Sequence, residues 1–227
     1  RTSARAAAMV LPSCSSMVLS QAQAAARRKL LAATRMAKPA RAGNGRTLPR
    51  AWFMTDPKRT PHPELVAARL PAGFGVIFRH FGALDRAEPG NRLARICRFR
   101  RLVLLVSAAA DLARAIGADG VHWPEAKLSG VRRRSQHWIE TASAHSRAAI
   151  ARAARLGVDA AILSPVFESA GPSAGRPIGA LAFRTIVRTA PLPVFALGGI
   201  NAGNATRIGA QTAGWAAIVA VMSVWGD

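Results

Sequence analysis

Two features of the chain could bind an anion: a Gly-Gly pair and an arginine, each at the end of an apolar run. Gly198 and Gly199 follow the run 192–197, and their missing side chains let backbone N–H groups approach an anion closely. A helix after the pair would direct its positive end to the same point. We therefore predict a phosphate cup at this turn, with a plain turn that leads into a helix as the alternative.

Arg79 ends the apolar run 75–79, and it faces the same side as Ile77 if this segment is a strand. A guanidinium there could hold a substrate carboxylate through two parallel hydrogen bonds. A buried ion pair with Asp56 is the alternative. His122 ends another apolar run, and we expect it either at the pocket or as a hydrogen-bonded core residue.

Short apolar runs alternate with helical stretches from residue 48 onward, which is the pattern of βα units and a parallel sheet. Eight strands are predicted, at 52–55, 75–79, 102–107, 120–122, 138–143, 160–164, 194–197 and 216–221. The clearest helices are predicted at 91–99, 109–116, 146–156, 180–189 and 204–211. The fold class is therefore α/β, a (β/α)8 TIM barrel, with an open doubly wound sheet as the alternative.

The two ends of the chain are expected to depart from a standard barrel. Because Asp227 follows the eighth predicted strand closely, the last outer helix should be missing. A basic helix at 21–37, or a second subunit in a homo-oligomer, could cover the side left exposed. Residues 1–47 contain Ala, Arg, Ser and Gly but no acid, which predicts a basic tail, disordered or partly helical. Residues 48–227 are then the barrel domain.

Composition argues against several classes of function. Half of the 227 residues are hydrophobic, yet no apolar run approaches the roughly 18 residues that span a bilayer, so no membrane partner is expected. The net charge is +21, but ten of the cations lie in residues 1–50 and no aromatic residues alternate with the arginines. We therefore expect no nucleic-acid partner. Two cysteines are too few for a disulfide framework and favour the cytoplasm.

Four segments carry a resemblance to a known superfamily: GADGVH at 117–122, SAHS at 143–146, LSPVFES at 163–169 and PVFALGGI at 193–200. Their order and spacing resemble those of thiamin phosphate synthases and TenI-like thiazole tautomerases over roughly residues 50–225. The resemblance implies a TIM barrel in thiamin metabolism that binds a small-molecule thiazole phosphate.

Synthases of this superfamily use Mg²⁺ and cations to stabilise a departing pyrophosphate, and the chain departs from their pattern. The positions of their glutamine, arginine and lysine on strand two hold Ile77, Arg79 and Phe81. The positions of their metal-binding and pyrophosphate-binding residues hold Ser107, Ala108, Lys127, Ser169, Gly171 and Pro172. Because neither Ala108 nor Lys127 offers an anionic oxygen, no metal or other cofactor is expected. Four carboxylates near predicted strand ends could compensate: Asp85, Glu88, Glu125 and Glu168.

The tautomerase branch moves a proton on a thiazole carboxylate phosphate until the ring becomes aromatic, which requires no metal. By resemblance His145 is its general acid/base, and histidine suits proton transfer because its ordinary pKa lies near neutrality. A structural histidine is the alternative. Arg79 is expected to act beside His145, and the resemblance together with the Gly-Gly turn assigns substrate and phosphate binding to Ser143, Ser169, Gly179, Gly198, Gly199, Val221 and Met222. A tautomerase-like enzyme is the main hypothesis, with a divergent synthase and a noncatalytic phosphate-ligand sensor as alternatives.

Overall fold

Eight parallel strands form a closed barrel in the computed structural model, which describes residues 20–80, 86–131, 136–169 and 175–226. The strands pair in chain order, and the first also pairs with the last. They are β1 (Ala51–Met54), β2 (Gly75–Phe78), β3 (Val103–Ser107), β4 (Gly120–Trp123), β5 (Ile139–Ala144), β6 (Ala160–Leu163), β7 (Val194–Ala196) and β8 (Gly214–Ala217). The predicted TIM barrel is confirmed, and the pairing of β1 with β8 excludes an open sheet.

Helices surround the barrel. Within the described residues they are α1 (Gln21–Met36), α2 (Pro63–Ala67), α3 (Ala87–Arg100), α4 (Ala110–Ala115), α5 (Arg147–Arg155), α6 (Gly179–Thr189) and α7 (Val219–Trp225). Two 3₁₀ segments lie at Glu125–Gly130 and Ala205–Ile208. The helix predicted at 204–211 is therefore only this second, four-residue 3₁₀ segment.

Side chains of the strands alternate between two apolar layers. Phe53 and Phe78 point outward to the layer beneath the helices, whereas Trp52 and Phe195 fill the barrel interior. The Trp52 and Phe195 rings meet edge to face, with their centroids 6.0 Å apart. A Cβ atom at Gly75 would lie 2.1 Å from the Trp52 ring, so glycine on β2 makes room for this indole.

The carboxyl-terminal end differs from the prediction in two ways. Strand eight was placed at 216–221, but β8 spans Gly214–Ala217 and ends earlier. The outer helix predicted to be missing is present as α7, Val219–Trp225. The boundary was hard to predict because the residues from 215 to 222 are all apolar and α7 has no side-chain N-cap. β8 is buried throughout, and α7 buries Ala220, Val221, Val224 and Trp225, so apolar residues dominate both elements.

The helix predicted at 21–37 forms as α1 and packs against the barrel. Ser20 and Gln23 build a capping box at its start, which satisfies backbone N–H groups that would otherwise lack partners. Leu30 is completely buried, and Trp215 of β8 donates its indole N–H to Thr34 Oγ1 at 3.1 Å. This part of the predicted tail is therefore held on the barrel.

The segment between α1 and β1 closes the amino-terminal end of the barrel. Ala42 and Leu48 are buried with the interior layer, and the Gly43 N–H donates to Asp159 Oδ1 at 2.7 Å. Asn44 donates to the backbone oxygen of His137 at 3.0 Å. Across the described ranges, no helix is both long and apolar enough to cross a membrane.

Candidate active site

A cavity of about 350 Å³ opens at the carboxyl ends of the strands, the end at which TIM barrels carry their active sites. We call it the mouth cavity. Residues from the ends of all eight strands and the loops that follow them line it. Among them are Asp56, Arg59, Arg79, Ser107, His122, Glu125, Ser143, His145, Ser169 and Gly198. The structure thus brings together five of the predicted site residues, which are Arg79, Ser143, His145, Ser169 and Gly198.

Arg79 lies one residue beyond β2 and is partly buried. Its backbone N–H donates to Thr55 Oγ1 at 2.9 Å. Burial lowers the pKa of Arg79, an effect that the nearby Asp56 charge opposes and the Arg59 charge increases. The ion pair of Asp56 is with Arg59, at 3.0 Å, and within the described part of the chain none joins Asp56 to Arg79. The guanidinium of Arg79 is therefore available to an anionic ligand.

His145 follows β5 and forms a hydrogen-bonded pair with Glu125. Glu125 Oε2 lies 2.7 Å from His145 Nδ1 and 2.9 Å from the His145 backbone N. Its other oxygen accepts from Arg152 at 2.9 Å. Burial alone would raise the pKa of Glu125, but the hydrogen bonds and charge of His145, together with the hydrogen bond from Arg152, lower it below its ordinary value. Glu125 is thus a stable anion that fixes one edge of the imidazole ring.

His122 was expected either at the pocket or as a hydrogen-bonded core residue. The structure shows both features, because the side chain is hydrogen-bonded and also lines the mouth cavity. Its side chain is buried, with Nδ1 2.9 Å from Thr141 Oγ1 and Nε2 2.9 Å from Ser143 Oγ. Burial, together with the Arg79 charge, lowers the pKa of His122 to about 3. The ring is therefore neutral near pH 7 and holds the Ser143 hydroxyl in a fixed position.

The Gly-Gly turn packs closely against the loop after β6 and also borders the mouth cavity. Both glycines have positive φ, and a Cβ atom at Gly199 would lie 2.2 Å from the Glu168 carbonyl oxygen. A smaller cavity of about 80 Å³, which we call the cup, is lined by Gly198, Gly199, Val219 and Arg59. Glycine is therefore required for the approach of two loops, and the same turn borders a space beside the mouth cavity.

Three predicted binding residues line neither of these cavities. Gly179 is the first residue of α6, and its N–H donates to the Val166 carbonyl at 2.9 Å. Val221 has a fully buried side chain inside α7, and the Met222 N–H donates to Ile218 O at 3.0 Å. The last two were chosen on a strand-eight boundary that the structure corrects, so the residues that directly follow β8 at the cup are Ile218 and Val219.

Comparison with known proteins gives the family. The model of the thiamine monophosphate synthase (TMP-TENI) family matches residues 52–223, nearly the whole barrel. The chain belongs to this family. A putative thiamine-phosphate synthase 2 from Aquifex aeolicus is 36% identical over 161 residues, which are 68% of this chain and 87% of that protein.

Two further proteins agree with this assignment. A thiamine-phosphate synthase from Halorhodospira halophila is 30% identical over 176 residues, 71% of this chain and 82% of the relative. The solved structure of thiamine phosphate pyrophosphorylase from Pyrococcus furiosus superposes with a TM-score of 0.62 at 23% identity, over 78% of this chain and 93% of the other. That structure supports the fold, and the family match places the chain in thiamine biosynthesis.

The Mg²⁺ of synthases in this family has no fitting donor set among the described side chains. Ala108 has no oxygen in its side chain, and Lys127 is an exposed cation. Among the described residues, the two carboxylates that line the mouth cavity are Asp56, bound by Arg59, and Glu125, bound by His145 and Arg152. No cluster of three or more His, Cys, Asp or Glu side chains suited to a metal occurs within the described ranges.

The other carboxylates that were expected to compensate lie elsewhere. Glu88 pairs with Arg92 on α3, and Glu168 is exposed. Asp85 lies outside the described residues.

Sequence reasoning missed two functional candidates, and it named a third polar group, Ser107, only as a departure from the synthase pattern. It considered Glu125 only as a replacement metal ligand, and it gave Arg59 no role. Ser107 Oγ, at the end of β3, is buried beside the mouth cavity and has no hydrogen-bond partner among the described residues. The Asp-Pro pair at 56–57 is a turn signal that could have directed attention to Arg59. Nothing local in the sequence indicates the contact between Glu125 and His145, which are twenty residues apart.

Proposed function

We propose that the protein isomerises a thiazole carboxylate phosphate in the mouth cavity, moving a proton until the ring becomes aromatic. The observation that carries this proposal is the Glu125–His145 pair, with 2.7 Å between Oε2 and Nδ1, in a cavity that Arg79 also lines. A histidine held through one ring nitrogen can present the other to a ligand. The pair suits proton transfer, for which no metal ion is needed.

Each group of the cavity has a role in this proposal. Arg79 binds the substrate carboxylate, since an arginine fork matches its two oxygens. The backbone N–H groups of Gly198 and Gly199 bind the phosphate. Ser143 donates or accepts one hydrogen bond to the ring, held in place by His122 at 2.9 Å. His145 removes a proton from one position and a proton returns at another, so that substrate and product have the same composition.

Thiamine phosphate synthesis is the second candidate, and the names of the relatives favour it over isomerisation. In that reaction a hydroxymethylpyrimidine diphosphate and a thiazole phosphate are joined while pyrophosphate departs. Bound Mg²⁺ would stabilise the leaving group electrostatically. We place isomerisation first because Asp56 and Glu125 are already held by arginine and histidine side chains and do not fit such an ion.

One set of assays on the purified protein separates the two reactions. We expect metal-independent aromatisation of a thiazole carboxylate phosphate, followed by ultraviolet absorbance and mass spectrometry. Formation of thiamin phosphate from thiazole phosphate and hydroxymethylpyrimidine diphosphate, dependent on Mg²⁺ and without aromatisation activity, would overturn the first proposal in favour of the second. Tight binding of thiazole phosphate without either reaction would instead indicate a noncatalytic sensor.

A further inference from the structure

Arg59 lies where the two cavities meet. Arg59 is part of the loop between β1 and α2, and it lines both the mouth cavity and the cup. Gly198, Gly199 and Val219, the first residue of α7, line the cup together with Arg59. A side chain shared by both spaces can contact a ligand that extends from one to the other.

A tight turn fixes the base of this side chain. Asp56 Oδ1 accepts the backbone N–H groups of Lys58 and Arg59 at 3.1 and 3.0 Å. The Asp56 N–H donates to Thr60 Oγ1 at 2.7 Å, and the Thr60 N–H donates back to the Asp56 carbonyl at 2.7 Å. Because Thr60 is buried, the turn is anchored to the barrel. The backbone of Arg59, from which its side chain extends, is therefore held in a defined position.

The charges at this end of the mouth cavity favour a bound anion. Arg59 and Arg79 both line the cavity, and the Arg59 charge contributes to the lowered pKa of Arg79. Asp56 offsets one of these two cations through its ion pair with Arg59, at 3.0 Å. The other cavity carboxylate, Glu125, is held by His145 and Arg152. Arg59, Arg79 and Asp56 together leave a net positive charge at this end of the cavity, which favours the binding of an anionic phosphate beside Arg59.

We propose that Arg59 is a specificity-determining residue that binds the phosphate of the ligand above the Gly198–Gly199 turn. The location of the phosphate rests on the proposed function. Asp56 holds the guanidinium with one nitrogen, Nη2, which leaves other N–H donors of the fork for phosphate oxygens. The side chain is 36% exposed, so it can accept a ligand without unfolding of the loop. Arg59 thereby selects phosphorylated over unphosphorylated thiazoles.

The competing explanation is that Arg59 only neutralises Asp56. Calorimetric titration of the full chain with thiazole phosphate, and in parallel with the unphosphorylated thiazole alcohol, separates the two explanations. The variants are Arg59→Ala, Arg59→Lys and the matched control Lys58→Ala, which removes the exposed neighbouring cation. Thermal unfolding of each variant shows whether the fold is retained.

We expect Arg59→Ala to weaken binding of thiazole phosphate about tenfold or more, as for loss of a hydrogen bond to a charged group. The alcohol should bind within twofold of wild type, and Lys58→Ala should change neither Kd. Arg59→Lys keeps the charge but loses the fork, so it should fall between wild type and Arg59→Ala. If Arg59→Ala fails to fold, a selective loss in Arg59→Lys decides in favour of the proposal.

Equal changes for the two ligands, or none, would overturn the role of Arg59, as would wild-type protein that does not bind thiazole phosphate. Failure of the proposed function gives a different result. Wild-type protein that binds thiazole phosphate and loses this binding in Arg59→Ala, yet catalyses no isomerisation, refutes the reaction and retains the phosphate contact. Conversely, isomerisation with unselective Arg59→Ala binding retains the reaction and refutes the contact.

Discussion

Glu125 holds His145 at two points: one carboxylate oxygen lies 2.7 Å from the ring Nδ1 and 2.9 Å from the backbone N of the same residue. The second contact fixes the backbone of the loop after β5, and the first fixes the rotation of the ring. Arg152 of α5 holds the other carboxylate oxygen at 2.9 Å. The imidazole is therefore oriented before any ligand arrives, with Nε2 left for a proton transfer.

His145→Ala should abolish most of the turnover while ligand binding remains. A positioned general acid/base contributes about 10²- to 10⁴-fold to a rate, so we expect kcat for aromatisation to fall at least about 100-fold. The phosphate contacts do not involve the imidazole, and the Kd for thiazole phosphate should stay within threefold. Steady-state kinetics and calorimetric titration measure the two quantities. A kcat within a factor of three of wild type would remove His145 from the mechanism.

Glu125→Gln should lower kcat less than removal of the histidine does. The amide can still contact Nδ1, but it lacks the charge that stabilises a protonated imidazole. Partners that orient metal-ligating histidines, a comparable positioning role, typically contribute about 10- to 100-fold. We expect a fall in kcat of that order with little change in KM. Arg152→Ala is the control, because it leaves the Glu125–His145 contacts in place, and its effect should be smaller. Equal kcat values for wild type and Glu125→Gln would mean that the pair is only structural.

Two parts of this site differ in how far the sequence could predict them. Alternation along β2 placed Arg79 and Ile77 on the inner side, and Ile77 is indeed an interior residue while Arg79 lines the cavity. That reasoning succeeds because strand geometry has a fixed period of two. The Glu125–His145 contact joins loops after two different strands, and a single sequence carries no periodic signal for it.

Element boundaries in continuous apolar sequence were the main failure. Between 215 and 222 every residue is apolar, although β8 ends at Ala217 and α7 begins at Val219. A buried strand and the buried face of a helix need the same residue types, so hydrophobicity does not separate them. The error placed Val221 and Met222, which lie in α7, at the end of strand eight, so a boundary shift of four residues changed a site assignment.

Stability should fall in mild acid partly because of His122. Its pKa is about 3 in the folded protein, against an ordinary value of 6.5. Between these two pH values the unfolded chain therefore binds a proton at His122 that the folded chain does not bind. Its contribution is thus complete above pH 6.5 and is lost as the pH falls toward 3. Between pH 7 and pH 5 this amounts to about 2 kcal/mol.

The test compares wild type with His122→Gln by urea unfolding at pH 7 and pH 5. Glutamine does not titrate, and its amide can contact the Thr141 and Ser143 hydroxyls that the imidazole contacts. The difference in unfolding free energy between the two proteins should change by about 2 kcal/mol in favour of the variant on going to pH 5. Parallel pH profiles would show that the folded protein also protonates His122.

Gly199→Ala should disturb both the fold and the cup. The new Cβ atom would lie 2.2 Å from the Glu168 carbonyl oxygen at a φ of +63°, and strain of this kind costs about 1–3 kcal/mol. We expect a lower free energy of unfolding by at least that amount, together with weaker binding of thiazole phosphate. Gly175→Ala is the control, since a Cβ atom there would have no atom of the described residues within 4 Å. Equal unfolding midpoints for the two variants would contradict the close approach of the loops.

Leu30→Ala tests whether α1 is part of the barrel's core. Leu30 is 0% exposed and belongs to the outer apolar layer, where truncation of a leucine leaves a cavity and typically costs about 2–5 kcal/mol. Arg28→Ala, at an exposed position on the same helix, should change the free energy of unfolding by less than about 0.5 kcal/mol. Urea unfolding measures both. Because α1 also borders α7, the Leu30 variant should lose stability in a single cooperative transition, whereas a separate early transition would show that α1 folds independently of the barrel.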